Sequence, residues 1–434
     1  MNFVPAFWTI YPWNFLSRST NPWSAGQKLK MFLMKKLLLP TKLLLVLPIF
    51  LVFFTVGYGR ATEKCCSTQK TASLEFSPKI AKGIDLLYDH QFKASEKIFF
   101  EFINQYPQKP AGYFYLAMVT WSRLASGFWS PVTVDEFKNR IEKTIEVARA
   151  RIKDGHAVSD DYFYLGGALG FSGRFELMRE NWLTSFLLAR EAIASLNTCL
   201  EKNPDNKDVL LGIGTFDYYT ARLSGILKFL SYLLVHKGDT KAGLKKLNEA
   251  AEKAVYSATE AKSTLLHIYL FVEEDFIKAR NLARYLVNRY EHNSRFKVLL
   301  GVSQIRLGLD NDLEKTIIDM KKKSQSPNYS KTAMMWEKRA LYLEATRSLY
   351  NKKYSDARLK LSRILSKPDP QNDPLMIAWP LVKIGMSYQL ANENEKAQRY
   401  YHRVMNMKNG AGAQFLAKRL LKTPPKKNDP FLGY

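Results

Sequence analysis

The chain has 434 residues, with 65 Lys+Arg against 40 Asp+Glu and a net charge of +25. Apolar residues make up 46% and aromatics 13%, which is the material of a folded core and excludes wholesale disorder. Three cysteines exclude a disulfide-stapled scaffold, and six scattered histidines leave little for a metal site.

The first 61 residues contain no Asp or Glu and seven Lys or Arg. Within them an apolar run, Leu43–Val56, is bounded by Lys42 and by Gly57-Tyr58-Gly59-Arg60. At 14 residues it falls short of the ~20 that a spanning helix needs. It matches the core of a secretory signal, with Met34-Lys35-Lys36 as the basic start and Gly59-Arg60-Ala61 as the small residues of a cleavage site. The alternative is an uncleaved anchor over 37–56 that tolerates Lys42. Both place the bulk of the chain outside the cytoplasm, because the basic residues precede the run. Residues 1–33 then read as a leader or a mis-assigned start, with Met31 or Met34 as alternative first residues. Residues 62–76 form a linker that carries Cys65-Cys66, and Cys199 falls on an apolar helix face as a core residue. Without residues 1–61 the charge is still +18, a basic balance spread along the helices.

From Ser77 onward apolar residues recur at three- and four-residue spacing with no sustained alternation. The pattern predicts an all-α chain, helix after helix, with turns at Pro107, Pro131, Pro204, Pro327, Pro368 and Pro370. Small residues recur on the first helix of each pair: Gly83, Ala117, Gly166, Gly214, Gly301, Ala345 and Gly385, with His267 in the corresponding place between Gly214 and Gly301. The intervals are 34, 49, 48, 53, 34, 44 and 40 residues. Second helices carry the complement: Ser95, Phe99 and Phe102 after Gly83; Ala192, Leu196 and Cys199 after Gly166; Ala279, Ala283 and Leu286 after His267; Ala397, Tyr401 and Val404 after Gly385. Small residues let paired helices approach, and large ones fill the space between pairs.

This pattern resembles the tetratricopeptide repeat family, W-x2-L-G-x2-Y followed by A-x3-F-x2-A and Pro. The resemblance implies a helical-hairpin solenoid, a right-handed superhelix of about eight helix pairs over 77–409. A capping helix at Gln414–Leu421 and a basic tail follow within 410–434. Three apolar insertions, 124–134, 171–187 and 222–239, lengthen the middle repeats; they either extend helices that pack on one another or decorate a binding face. The stretch GTFDYYTARLSG (214–225), GDTKAGLKKLNEA (238–250) and EAKSTLLHIYL (260–270) is similar to a group of largely uncharacterised bacterial extracytoplasmic tetratricopeptide proteins. More remotely it is similar to eukaryotic proteins of the tetratricopeptide-repeat-domain-39 type. That likeness implies a scaffold or adaptor, not an enzyme.

No catalytic or metal constellation stands out. Gly212-Ile213-Gly214 lacks a third glycine and a preceding strand, so it reads as helix packing. The histidines show neither HxxxH nor HExxH spacing, so neither a metal nor a cofactor is expected. Asp160-Asp161 opens a helix as cap and dipole partner, and Glu273-Glu274-Asp275 is an acidic turn. The best candidates for a ligand or partner contact are Arg174, Arg179, Trp182, Asp217, Tyr218, Tyr219 and Arg222, where aromatic faces lie near guanidinium groups on adjacent repeats. The alternative is that these rings pack between helices while the arginines satisfy helix ends. The apolar run Leu223–Val235, with Lys228, either packs on its neighbours or lies at a membrane surface. The expected activity is non-catalytic binding of a protein or peptide partner in the bacterial envelope, with a lipid or cell-wall glycan as the alternative ligand and nucleic acid not expected.

Overall fold

The structure, a computed structural model, describes residues 77–179, 181–223, 238–325, 331–426 and 429–433. The expected leader, signal or anchor and linker at 1–76 lie outside the described residues, as does most of the Leu223–Val235 run. All the described residues belong to one compact unit. They form seventeen α-helices and one 3-10 turn, with no strand among them.

The helices are α1 (Pro78–Tyr88), α2 (Phe92–Gln105), α3 (Pro110–Ala125), α4 (Pro131–Lys153), α5 (Ser159–Met178) and α6 (Trp182–Lys202). After them come α7 (Val209–Thr220), α8 (Thr240–Lys253), α9 (Ala258–Phe271), α10 (Phe276–Arg289), α11 (Ser294–Leu307) and α12 (Asp310–Ser324). The chain continues through α13 (Lys331–Tyr350), α14 (Tyr354–Leu365), α15 (Leu375–Leu390), α16 (Asn394–Met405) and α17 (Ala413–Leu420) to a 3-10 turn at Pro430–Leu432.

Local chemistry explains the boundaries. Ser77 and Ser130 accept the Ile80 and Thr133 amides at 3.4 and 3.0 Å, each just ahead of a proline at the first helical position. Asp239, Asp275 and Asn293 cap α8, α10 and α11 in the same way. Gly308 ends α11 in the left-handed region, at φ +67°. The insertions at 124–134 and 171–187 extend helices and their joints: α4, α5 and α6 run for 23, 20 and 21 residues.

Consecutive helices pack side by side along the whole chain. Odd-numbered helices also touch the next odd-numbered helix: α1 on α3, α3 on α5, α5 on α7 and α7 on α9, then α11 on α13, α13 on α15 and α15 on α17. Recurrent small residues sit where consecutive helices meet. A Cβ on Gly83 would stand 2.5 Å from Phe99, one on Gly166 2.7 Å from Leu196, and one on Gly385 2.5 Å from Tyr401. Gly214 faces Gly243 and the backbone of Leu247 on α8. Ser95 ties the first pair together by donating to the Gly83 carbonyl at 2.7 Å. His267 is buried; its Nδ1–H donates to the Ser263 carbonyl at 2.7 Å, leaving Nε2 to accept from Arg295 at 2.9 Å. Burial and the Arg295 charge push its pKa well down, so the ring is neutral.

The first two hairpins also touch the later half of the chain. Arg289 reaches Asp85 at 2.9 Å, the His292 amide donates to Asp89 at 3.0 Å, and Asn293 donates to the Tyr88 carbonyl at 2.7 Å. The α3–α4 joint makes a second seam. Arg339, 3% exposed, pairs with Asp373 at 3.0 Å, donates to the Ser126 carbonyl at 3.1 Å and lies over Phe128. Gly127, at φ +96°, presses on Leu375, and Asn409 donates to the Trp129 carbonyl at 3.1 Å. His90, itself at φ +60°, meets the Ser126 hydroxyl at 3.1 Å; burial and the charges of Arg339 and Arg295 hold its pKa near 3. After α17 the turn at Pro430–Leu432 returns to the core, where Phe431 is 3% exposed.

Candidate functional site

The wall formed by α1, α3, α5, α7 and α9, with α6 behind it, bounds a cavity of about 200 Å³ that is open to solvent on the side of the exposed Gly170. Its sides are aromatic: Phe114 and Tyr115 from α3, Phe163 and Phe171 from α5, Tyr219 from α7, and Tyr256 from the turn before α9. These rings interlock. Phe114 lies 5.5 Å from Tyr164 and 6.2 Å from Phe171, and Tyr115 meets Tyr256 edge-on at 5.9 Å. The YFYL runs at Tyr113–Leu116 and Tyr162–Leu165 supply rings on neighbouring odd-numbered helices.

Glycines of α5 and α7 make the floor. Gly166 and Gly212 are closed off by Leu196, at 2.7 and 2.6 Å from an added Cβ, and Gly167 meets Phe114 at 3.0 Å. Gly170 differs from them. Among the described residues a Cβ there would find only the Ala192 Cβ, at 4.0 Å, and Gly170 lines the cavity.

The polar groups of the wall are largely engaged. Asp208 accepts the amides of Val255, Tyr256 and Ser257 at 2.9, 2.8 and 2.6 Å, anchoring the loop before α9. Glu260 accepts the Tyr88 hydroxyl at 3.0 Å. Burial raises the pKa of Tyr88, Tyr115 and Tyr219 well above the ordinary phenol value, so all three stay protonated at neutral pH. Arg174 lies at the edge of the cavity with its guanidinium over the Trp121 ring at 5.0 Å. Such a surface takes up apolar groups and offers one cationic rim.

The seven residues singled out from the sequence divide between three places. Arg174 and Tyr219 line the cavity. Tyr218, Arg222 and Asp217 cluster on α7 and just beyond it. Tyr218 donates to Glu273 at 2.5 Å, Arg222 lies over the Tyr218 ring at 4.7 Å and also pairs with Glu273, and buried Asp217 pairs with Lys246 at 2.6 Å. Arg179 is exposed, 3.5 Å from Glu176 and over Phe175, and Trp182 is half-buried as the first residue of α6. Sequence reasoning missed Phe114, Phe163, Gly170 and Glu260. The signal for Phe114 and Phe163 was the recurrence of YFYL on consecutive first helices, which read as packing alone; Gly170 and Glu260 lie outside those runs. No group of three or more His, Cys, Asp or Glu that could hold a metal stands together among the described residues. No described helix is long and apolar enough to cross a membrane.

No family model matches the chain, and no curated protein matches it.

Proposed function

We propose that the chain is a tetratricopeptide-type scaffold, a right-handed solenoid of about eight helix pairs that binds a protein or peptide partner without chemistry of its own. On this reading it works on the outer side of a bacterial cytoplasmic membrane. The hairpin succession, with odd-numbered helices touching in two runs, α1 to α9 and α11 to α17, supports the repeat architecture. The observation that carries the binding function is the cavity over Gly170. A glycine in the middle of a helix is unfavourable relative to alanine by ~1 kcal/mol. At Gly166 and Gly385 helix contact explains the glycine; at Gly170 no described residue fills the space. An apolar cavity of ~150 Å³ takes a benzene-sized group, so this one suits a single large side chain of a partner, anchored as a hot spot.

Phage-displayed peptides panned against the full chain test this. The Gly170→Leu variant, which fills the cavity, serves as the negative control. Enrichment of aromatic-bearing sequences that the variant does not retain is the expected result. Equal retention by both proteins, or no enrichment, overturns the reading. The second reading, an acyl chain in place of a peptide anchor, is favoured by the apolar lining. Native mass spectrometry of the purified chain tests it through co-purified lipid. A glycan needs free hydrogen-bonding groups along the wall, and Asp208 and Glu260 are already occupied.

A further inference from the structure

The last described residues, 429–433, fold back onto the helices. Asp429-Pro430-Phe431-Leu432 is a self-contained turn. The Asp429 carboxylate accepts the Phe431 amide at 2.9 Å, Pro430 sets the backbone for the first step, and the Leu432 amide closes on the Asp429 carbonyl at 2.9 Å. This turn enters a groove between α9, α11, α13, α15 and α17. The Phe431 ring stacks on Phe271 at 5.7 Å and 9°, meets Phe415 edge-on at 5.6 Å, and lies 6.3 Å from Trp379.

Three basic side chains receive the polar atoms, each from a different helix. Arg419 of α17 pairs with the Asp429 carboxylate. Arg306 of α11 donates to the Asp429 carbonyl at 3.0 Å. Lys383 of α15, fully buried, donates to the Phe431 carbonyl. An ordinary hydrophobic plug needs none of this. Burying a lysine and an arginine is costly, and a leucine or methionine would seal the groove with less penalty. Two of the three address main-chain carbonyls, which every peptide possesses. The third addresses an acid placed two residues ahead of an aromatic. Burial holds the Lys383 amine near pKa 7, and the facing charges are Asp429, Arg306 and Arg419.

We propose that Asp429–Gly433 is a built-in ligand, and that the groove it fills recognises external peptides in which an acidic residue precedes an aromatic by two positions. This rests on the reading that the inner wall binds peptides, but at a groove separate from the cavity over Gly170. The segment is tethered to α17 by a link whose described part, Thr423–Lys426, contains no helix. Tethering places it at roughly millimolar effective concentration. If the free segment binds at ~10 µM, an outside peptide meets a groove that is about 100-fold less available. The partner therefore gains access when the tail is displaced or removed.

The test inserts a protease site between Thr423 and Pro424, both exposed, in the full chain, and compares the folded protein before and after cutting. The probe is the fluorescein-labelled peptide KKNDPFLGY, followed by anisotropy after the freed tail is dialysed away. Binding should strengthen about 100-fold on cutting. It should be lost with the Asp→Ala and Phe→Ala versions of the peptide, and lost again in the cut Lys383→Met protein, whose circular dichroism should match the uncut chain. Equal binding before and after cutting overturns the proposal, as does loss of helix on cutting, which would make the segment a core element. A dimer that separates on cutting also overturns it, since the occupant would then be a second copy's tail. Each of these failures leaves the Gly170 panning result standing, and failure of the panning leaves this titration standing.

Discussion

Two glycine-to-alanine changes in helices should move stability in opposite directions. At Gly385 the new Cβ would stand 2.5 Å from Tyr401 Cε1 and 2.8 Å from Cδ1. Tyr401 is fully buried, and its hydroxyl donates to Gln389 at 2.7 Å, so the ring cannot swing away without losing that bond. Overpacking of this kind costs ~1–3 kcal/mol, and the better helix propensity of alanine returns ~1 kcal/mol. The expected net loss for Gly385→Ala is up to ~2 kcal/mol. At Gly170 the propensity gain is the same and the nearest atom among the described residues is 4.0 Å away, so Gly170→Ala should gain up to ~1 kcal/mol. Urea unfolding followed by circular dichroism, with m-values checked for constancy, should place the two midpoints on either side of the wild type. If both variants shift the same way, the glycines are not contact points and the helix-pair packing argument fails.

Three further outcomes follow from buried groups. Arg339→Met leaves Asp373 without its guanidinium in a site where both are nearly fully buried, and should cost about 3–5 kcal/mol in the same assay. Lys383 is held near pKa 7 by burial against an ordinary 10.5, so between these values the folded chain binds fewer protons than the unfolded one and stability rises with pH. From pH 7.5 to 9.5 the wild type should gain about 2–3 kcal/mol relative to Lys383→Met, since the opposing ionisation of the unfolded Cys199 thiol and tyrosines is common to both proteins; equal slopes would refute the assignment. Cys199 is fully buried with its thiol pushed up to about 12, so iodoacetamide at pH 8 should leave the Cys199 peptide unlabelled by mass spectrometry until the chain is denatured.

The all-helical character and the pairwise contacts were legible because they depend on near neighbours in the sequence. Gly83 against Phe99 and Gly385 against Tyr401 each lie within one hairpin, and periodicity reports such contacts directly. The seam between Asp85 and Arg289 is separated by 204 residues and leaves no periodic trace. The same holds for Lys383 and Phe431, 48 residues apart, so 410–434 read as a cap and a basic tail. Within the candidate site, Tyr219 and Arg174 were found and Gly170 was not. Gly166 and Gly170 are the same residue on the same helix, and only the side chain opposite, Leu196 in one case and open space in the other, separates their roles. Arg179 follows Arg174 closely in sequence but ends α5 at the surface, where register alone does not distinguish a rim from a face.

The ties from Asp85 and Asp89 to the 289–293 turn, and from Ser126 to Arg339, change how such a molecule can come apart. Stacked units normally fray from the termini inward, each peeling away with only its own interface lost. Here α1 cannot peel without also breaking a contact made more than 200 residues later. Amide hydrogen exchange in α1 should therefore be slowed to the level of α10 and α11, with the amino-terminal hairpin exchanging as a partner of mid-chain helices instead of as a loose end.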